Sequence, residues 1–174
     1  MLYRLKEYKL LIICALTIYF LSMVFGIYFG KSIDGSTNEK IIMSSDPLDY
    51  LKNNIKAILV FIAGLLTFGI SSIIQLTLNG MMLGVGIEGL TNRTTLLESF
   101  LYILPHGLFE IPAIILAGAI GLYPYKIIIS LIKGQKIKVN FVNMIYIIGL
   151  IVSLLVLAAF VESYITPLVI NFIE

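Results

Sequence analysis

The chain is dominated by long apolar runs separated by shorter polar segments. The first run, Lys9–Gly30, has only weakly polar interruptions and is long enough to cross the hydrocarbon core of a bilayer, about 30 Å, as a helix. A secretory signal peptide is the rival interpretation, but the run is longer than an h-region and no small-x-small cleavage site follows it. The pattern therefore predicts a retained first membrane helix.

The longest polar segment, residues 31–54, comes next and carries no net positive charge. We expect it to be an extracytoplasmic loop. Near its end, Asp46 is a typical N-cap residue, Pro47 suits the first helical position, and Asp49 lies in the first turn, so a helix is predicted to start there. This helix is expected to follow the membrane interface and then to enter the bilayer over residues 58–78.

The middle of the chain mixes apolar runs with helix-breaking residues. Asn79-Gly80 and Gly84-x-Gly86 interrupt one run, and Pro105-His106 interrupts the next. Broken helices persist at membrane depth only where their free backbone groups face protein or a water-filled cavity, so these pieces are predicted to lie inside a bundle. They form either two crossings, near residues 76–94 and 103–125, or a re-entrant pair.

Basic residues indicate the orientation. They form an N-terminal and a late cluster, namely Arg4, Lys6 and Lys9, and Lys126, Lys133, Lys136 and Lys138. Both clusters should be cytoplasmic, which requires an even number of crossings between them and places the end of the last helix, residues 141–161, outside. The sequence thus predicts one integral membrane domain, residues 1–174. Its expected fold is all-α, a polytopic transmembrane helix bundle with about five membrane segments and broken or re-entrant helices in the middle.

Composition supports this class and argues against others. The chain is 59% hydrophobic and 13% charged, which is typical of a membrane protein. Its formal charge of +2 is far below the basic excess that nucleic-acid binding requires, so the expected partner is the lipid bilayer and not nucleic acid. The single cysteine, Cys14, provides neither a disulfide nor a thiolate cluster and is expected to be a packing residue.

The strongest chemical feature is the segment from Pro105 to Pro112. His106 and Glu110 are four residues apart and therefore share one face of a helix, which small residues continue as Ala113, Ala117 and Gly121. Small residues allow close helix approach, whereas ionisable groups in hydrocarbon are costly and are either paired or used. The structural alternative is that His106 and Glu110 only satisfy backbone groups freed by Pro112.

Catalytic and metal chemistry find little support in the sequence. A metal site in one subunit would need several ligands beyond His106 and Glu110, and the chain has no second histidine. It contains no His-Glu-x-x-His helix, and we found no Ser-His dyad or pair of catalytic aspartates. We therefore expect no enzyme activity, no cofactor and no metal.

Further candidates lie elsewhere along the chain. Gly80 and Gly84 form a GxxxG motif, for which helix packing is the preferred interpretation over close approach to a ligand. The amides of Asn54 and Asn79 need partners within a membrane, and Asn79 is expected to mark a helix break. Glu162 precedes a helix end or kink at Pro167 and is either a solvated helix-end charge or part of a pathway.

These residues together resemble the stage II sporulation protein M family over most of the chain after the first span. The Pro-His-Gly-x-x-Glu block is the specific part of the resemblance, and the other blocks support it. The matching segments are Asn53-Asn54, Phe61-Ile62-Ala63-Gly64, Leu78-Asn79-Gly80 with Gly84, Pro105-His106-Gly107, Glu110-Ile111-Pro112-Ala113, Gly118 to Gly121, Ala158-Ala159-Phe160-Val161-Glu162, and Pro167.

The resemblance implies a membrane scaffold. In spore formers, the family's namesake assembles with two peptidoglycan-degrading proteins and acts in septal thinning and engulfment, although similar proteins occur in organisms without spores. We therefore expect a non-enzymatic, multi-pass cell-membrane protein that forms a homodimer or binds membrane or cell-envelope proteins. The alternative is a transporter, channel or permease subunit in which the face carrying His106 and Glu110 lines a path for a proton, ion or small solute.

Overall fold

The computed structural model describes residues 5–32, 46–92, 94–136 and 139–173. Its elements are helical throughout this part of the chain, which confirms the predicted all-α bundle. In chain order they are α1 (Lys9–Gly30), α2 (Pro47–Ile62), a 3₁₀ turn (Ala63–Leu65), α3 (Ile70–Thr91), α4 (Leu96–Gly121), α5 (Tyr123–Ile132), α6 (Phe141–Phe160), a π turn (Val161–Ile165) and α7 (Thr166–Ile173). Most of the predicted outer loop, residues 33–45, lies outside the described residues.

Two helix starts are capped by side chains. The Asp46 carboxylate accepts a 2.8 Å hydrogen bond from the Leu48 amide, and Pro47 occupies the first turn, so the predicted start of α2 is confirmed. At α4, the Thr95 hydroxyl accepts from the Glu98 amide while the Glu98 carboxylate accepts from the Thr95 amide at 2.7 Å. This reciprocal capping box fixes the start of α4.

The predicted helix breaks at Asn79-Gly80 and at Pro105-His106 are wrong. Both α3 and α4 run without interruption through these positions, which also argues against a re-entrant pair. Asn79 is accommodated because its side-chain amide donates to the Gln75 carbonyl one turn earlier, at 2.8 Å.

The actual break between α2 and α3 lies at residues 66–69. Phe68 and Gly69 have positive φ angles of 50° and 83°, and the Gly69 amide donates to the Gly64 carbonyl at 2.7 Å. Glycine adopts this left-handed conformation without a steric penalty, so the chain reverses there instead of continuing as one span over residues 58–78.

Within the described residues, four helices are long and apolar enough to cross a membrane: Lys9–Gly30, Ile70–Thr91, Gly107–Ile132 and Phe141–Val169. The shorter α2 lies among them and contacts α3, α4 and α6. The predicted count of five crossings depends on α2 and stays a prediction.

Small residues bring the helices close together, as predicted. A Cβ atom on Gly80 would collide with the Tyr19 carbonyl of α1, and one on Gly84 would collide with the Met23 carbonyl, which confirms helix packing as their role. On α4, Ala113 and Ala117 are fully buried. Cys14 is exposed on the outside of α1, so the expectation that it is a packing residue is wrong.

Candidate functional site

A polar cavity of about 330 Å³ lies between the helices. Residues from α1, α2, α3, α4 and the π turn line it. Its polar lining consists of Tyr19, Tyr50, Asn53, Asn54, Asn79, Glu110 and Glu162, and its apolar lining consists of Met82, Leu83, Gly107, Ile111 and Ile114.

Part of the cavity lining lies at the middle of the long helices. Tyr19, Asn54, Asn79 and Glu110 each occur near the middle of their helices. For the long helices, at 1.5 Å per residue, this places the lining about 15 Å from either end. Tyr50 and Asn53 lie nearer the start of α2, and Asn53 and Met82 are exposed, so the cavity extends from the middle of the helices towards the surface. The part at mid-helix lies at a depth where polar groups are costly.

One face of α4 supplies the centre of the lining. Gly107, Glu110, Ile111 and Ile114 follow helical spacing and all border the cavity. Gly107 contributes no side chain, and a Cβ atom there would meet only side chains, the nearest being the tip of Ile111. Glu110 was expected to be buried; it is half-buried and interacts with other groups of the protein.

Asn54 provides the most informative polar group in the cavity. Its side chain belongs to α2 and is only 8% exposed. Among the described residues, its amide nitrogen Nδ2 has no hydrogen-bond partner. A buried donor of this kind costs roughly 1–3 kcal/mol unless something in the cavity accepts its hydrogen bond.

Glu162 reaches the cavity from the π turn. The last helix was expected to end or kink before Pro167, and the regular α6 does end at Phe160, where the π turn Val161–Ile165 joins it to α7. The π turn Val161–Ile165 absorbs the change in hydrogen bonding, and the Thr166 hydroxyl donates to the Val161 carbonyl at 3.3 Å. Such turns occur often at functional sites.

The fold thus gathers five of the candidate residues around one space: Asn54, Asn79, Gly107, Glu110 and Glu162. Gly80 and Gly84 pack against α1 instead, and Pro112 is exposed on α4. The side chain of His106 lies outside the described residues. Tyr19 and Tyr50 were missed by the sequence analysis, because a single tyrosine in an apolar or interfacial helix does not stand out.

A second polar cluster lies at one end of the bundle, and we call it the Glu7 cluster. It consists of Glu7, Tyr8, Tyr123, Lys126 and Asn143. Glu7 accepts hydrogen bonds from Lys126 at 3.2 Å, Tyr123 at 3.3 Å and Asn143 at 2.9 Å, and Lys126 also donates to the Glu7 carbonyl. The N-terminal segment and Lys126 therefore share one end of the bundle, as both basic clusters were predicted to do.

Electrostatics in the Glu7 cluster favour a charged carboxylate. Burial alone would raise the pKa of Glu7, but hydrogen bonds from Asn143, Lys126 and Tyr123 and the charge of Lys126 lower it below its ordinary value of 4.5. Burial and the neighbouring Glu7 charge raise the pKa of the Tyr8 phenol. The ammonium group of Lys126 also lies 5.2 Å from the centre of the Tyr123 ring, within cation–π range.

The described residues offer no cluster of side chains that would bind a metal ion. Among the residues that the structure describes, no group of three or more His, Cys, Asp or Glu side chains could hold a metal ion. Glu110 and Glu162 border the same cavity, where their neighbours are amides and phenols. This lining suits a polar organic molecule or hydrated species better than a directly ligated transition metal.

Comparisons with known proteins agree with the sequence resemblance. The family model for stage II sporulation protein M matches residues 15–167. A protein of Methanocaldococcus jannaschii, named "uncharacterized protein MJ0793", is 35% identical over 171 residues, which covers 91% of this chain and 95% of that protein. No solved structure gave a significant match. The chain belongs to the stage II sporulation protein M family.

Proposed function

We propose that this member of the stage II sporulation protein M family is a non-enzymatic, multi-pass protein of the cell membrane that binds a small polar solute and forms part of its path across the bilayer. The observation that carries this proposal is the polar cavity, in which Asn54, Asn79, Glu110 and Glu162 meet. Its volume falls at the lower end of the range for small-molecule sites.

The position of these polar groups supports a functional role. Amide and carboxyl groups at membrane depth are costly, and proteins keep them where they pair with each other or contact a substrate or ion. If pairing were their only role, close packing around them would be expected, since packed interiors leave few voids larger than a water molecule. These polar groups instead border a cavity of about 330 Å³.

Other parts of the same helices are closely packed. At Gly64 and Gly121, a Cβ atom would collide with the Ser72 hydroxyl, and at Gly121 also with the Phe61 carbonyl. The Ser72 hydroxyl donates to the Phe61 carbonyl at 2.6 Å and is fully buried. The bundle therefore closes tightly where small residues meet. The space beside Glu110 is a local property of the α4 face that carries His106 and Glu110, which we call the motif face.

Cysteine labelling tests whether water enters the polar cavity. In a Cys14→Ser background, Asn79→Cys places a thiol in the lining of the cavity. Two variants serve as controls. Ile145→Cys lies on the outer face of α6, where Ile145 is 69% exposed, and Ala117→Cys lies in the packed interior. The protein in lipid vesicles is treated with a small charged methanethiosulfonate reagent, which reacts with the thiolate formed in water.

The expected result is rapid labelling of Asn79→Cys and slow labelling of both controls. Application of the reagent from each side of the vesicle then identifies the side from which the cavity opens. Labelling of Asn79→Cys as slow as that of Ala117→Cys would show that the cavity is dry and would contradict solute passage.

A scaffold role is the second candidate, and the outer face of α3 favours it. Gly86 and Gly89 are exposed and have open space where a Cβ atom would be. Small residues on a lipid-facing helix allow another helix to approach closely, from a second copy of the chain or from an envelope protein. Gly86→Leu should then reduce association in detergent without changing the labelling of Asn79→Cys. Unchanged association would remove the support that this face gives to a scaffold.

A further inference from the structure

We propose that the ligand of the polar cavity is a small organic ammonium ion that also carries a hydrogen-bond acceptor. This inference rests on the proposed solute-binding function and specifies the chemical class of the solute. Three properties of the lining lead to it: the sign of its ionisable groups, its aromatic rings and the unsatisfied amide of Asn54.

The ionisable groups of the cavity favour a cation. Glu110 and Glu162 both border it, and among the described residues that line it there is no lysine or arginine. Both carboxyl groups also interact with other groups of the protein, so the feature that selects a ligand is the acidic sign of the lining. Away from bulk water, charge–charge interactions are weakly screened, and a cation is strongly preferred over an anion there.

The aromatic side chains favour an ammonium group over a metal ion. Tyr19 and Tyr50 are both lining residues, and ammonium groups bind over the faces of tyrosine rings. The space of about 330 Å³ is much larger than a bare metal ion needs. Direct ligation of a divalent metal would also require more carboxylate or imidazole groups than the described lining supplies.

Asn54 adds a requirement that a simple alkylammonium ion does not meet. Its side chain is 8% exposed, and its Nδ2 group has no hydrogen-bond partner among the described residues. A ligand oxygen that accepts this hydrogen bond would remove the cost of the buried donor. An amino alcohol or a related hydroxylated ammonium ion supplies both the positive charge and the acceptor.

Choline is a suitable probe because it has a neutral isostere, dimethylbutanol, in which carbon replaces the nitrogen. The full chain in nanodiscs is heated with increasing choline, with the isostere, or with sodium or magnesium chloride at matched ionic strength. A ligand that binds only the folded state raises the unfolding temperature with its concentration. We expect choline to raise it in a saturable manner and the isostere and both salts to have little effect.

Variants that keep the shape of the lining test the charge directly. Glu110→Gln and Glu162→Gln should each weaken choline binding about tenfold, because a charge-assisted contact is replaced by a neutral one. Glu88→Gln is the matched control, since it removes the same charge from α3 outside the cavity lining and should leave choline binding unchanged. The comparison of choline with its isostere on the parent protein does not depend on the folding of any variant.

Three results would overturn this inference. Equal stabilisation by choline and its isostere would mean that the cavity does not recognise charge, and the same stabilisation by sodium or magnesium would identify a metal site instead. No effect of any probe, together with rapid labelling of Asn79→Cys, would reject the ammonium ligand and leave solute passage standing. Slow labelling would reject solute passage itself.

Discussion

The Glu7 cluster and the polar cavity show two ways in which a helix bundle holds a glutamate. In the Glu7 cluster, the carboxylate accepts hydrogen bonds from three side chains, and Lys126 balances its charge. In the polar cavity, Glu110 borders open space together with a second carboxyl group and the unsatisfied amide of Asn54. The first arrangement is closed, and the second leaves room for a ligand.

The contrast separates structural from functional polar groups. A closed network stabilises the fold because each member would lose partners if another were removed. We expect an open arrangement, which leaves room for a ligand, to contribute less to the fold. The Tyr8 hydroxyl, which is buried without a hydrogen-bond partner among the described residues, is the exception within the Glu7 cluster.

The largest effect is expected where the helices are packed most closely. Gly121→Leu would force a side chain against the Phe61 carbonyl and the Ser72 hydroxyl, and we expect it to destabilise the bundle by about 3 kcal/mol. Ile128→Leu on the outer surface is the control and should be near neutral. Gly107→Ala should also be tolerated, because the added Cβ atom would contact only side chains that can move. Thermal unfolding in detergent would report all three, and equal tolerance of Gly121→Leu would mean that this face is not closely packed.

A smaller effect is expected from Glu7→Gln. The substitution removes the charge paired with Lys126 and places an amide beside the donor of Asn143, so a loss of about 2 kcal/mol is expected at neutral pH. Because the pKa of Glu7 is lowered in the folded state, the advantage of the parent should be complete above pH 4.5 and disappear as the pH falls through the lowered pKa. Unfolding measured across this pH range tests the sign, and a pH-independent difference would show that the charge of Glu7 does not stabilise the fold.

The smallest effect on stability is expected from Glu110→Gln. Glutamine keeps the shape and hydrogen-bonding capacity of the side chain, so the unfolding free energy should stay within about 1 kcal/mol of the parent. Glu110→Leu should cost more, because neighbouring polar groups would lose a partner. If Glu110→Gln were as destabilising as Glu7→Gln, the polar cavity would be a structural cluster like the other. A Leu variant as stable as the parent would mean that Glu110 contributes nothing to its surroundings.

Local signals in the sequence predicted several elements correctly. The start of α2 at Asp46-Pro47 and the small-residue face at Ala113, Ala117 and Gly121 depend on neighbouring residues or on helical spacing, and both were confirmed. Asn79-Gly80 wrongly predicted a helix break, because the Asn79 side chain can donate a hydrogen bond to a carbonyl within its own helix. The chain in fact leaves the helical conformation at Phe68 and Gly69, where φ is positive. No sequence pattern marks this position, because a single glycine among many does not specify a backbone conformation.

The candidate site was predictable residue by residue but not as a cavity. Glu110 and Gly107 belong to one helix face, which spacing reveals. Asn54 and Glu162 join them only through tertiary packing and the π turn, which no local pattern encodes. Tyr19 is an ordinary member of an apolar helix by sequence alone. The family motif therefore identified functional candidates, and the fold was needed to bring them together.

Carboxyl footprinting in nanodiscs tests most directly whether the motif face is an open, hydrated site. A water-soluble carbodiimide and an amine modify carboxyl groups that water can reach, and mass spectrometry identifies them on the unmutated chain. Asp49, whose side chain is 61% exposed, provides the reference for a fully accessible group. We expect Glu110 to be modified and choline to slow this reaction. An unmodified Glu110 beside a fully modified Asp49 would contradict this expectation.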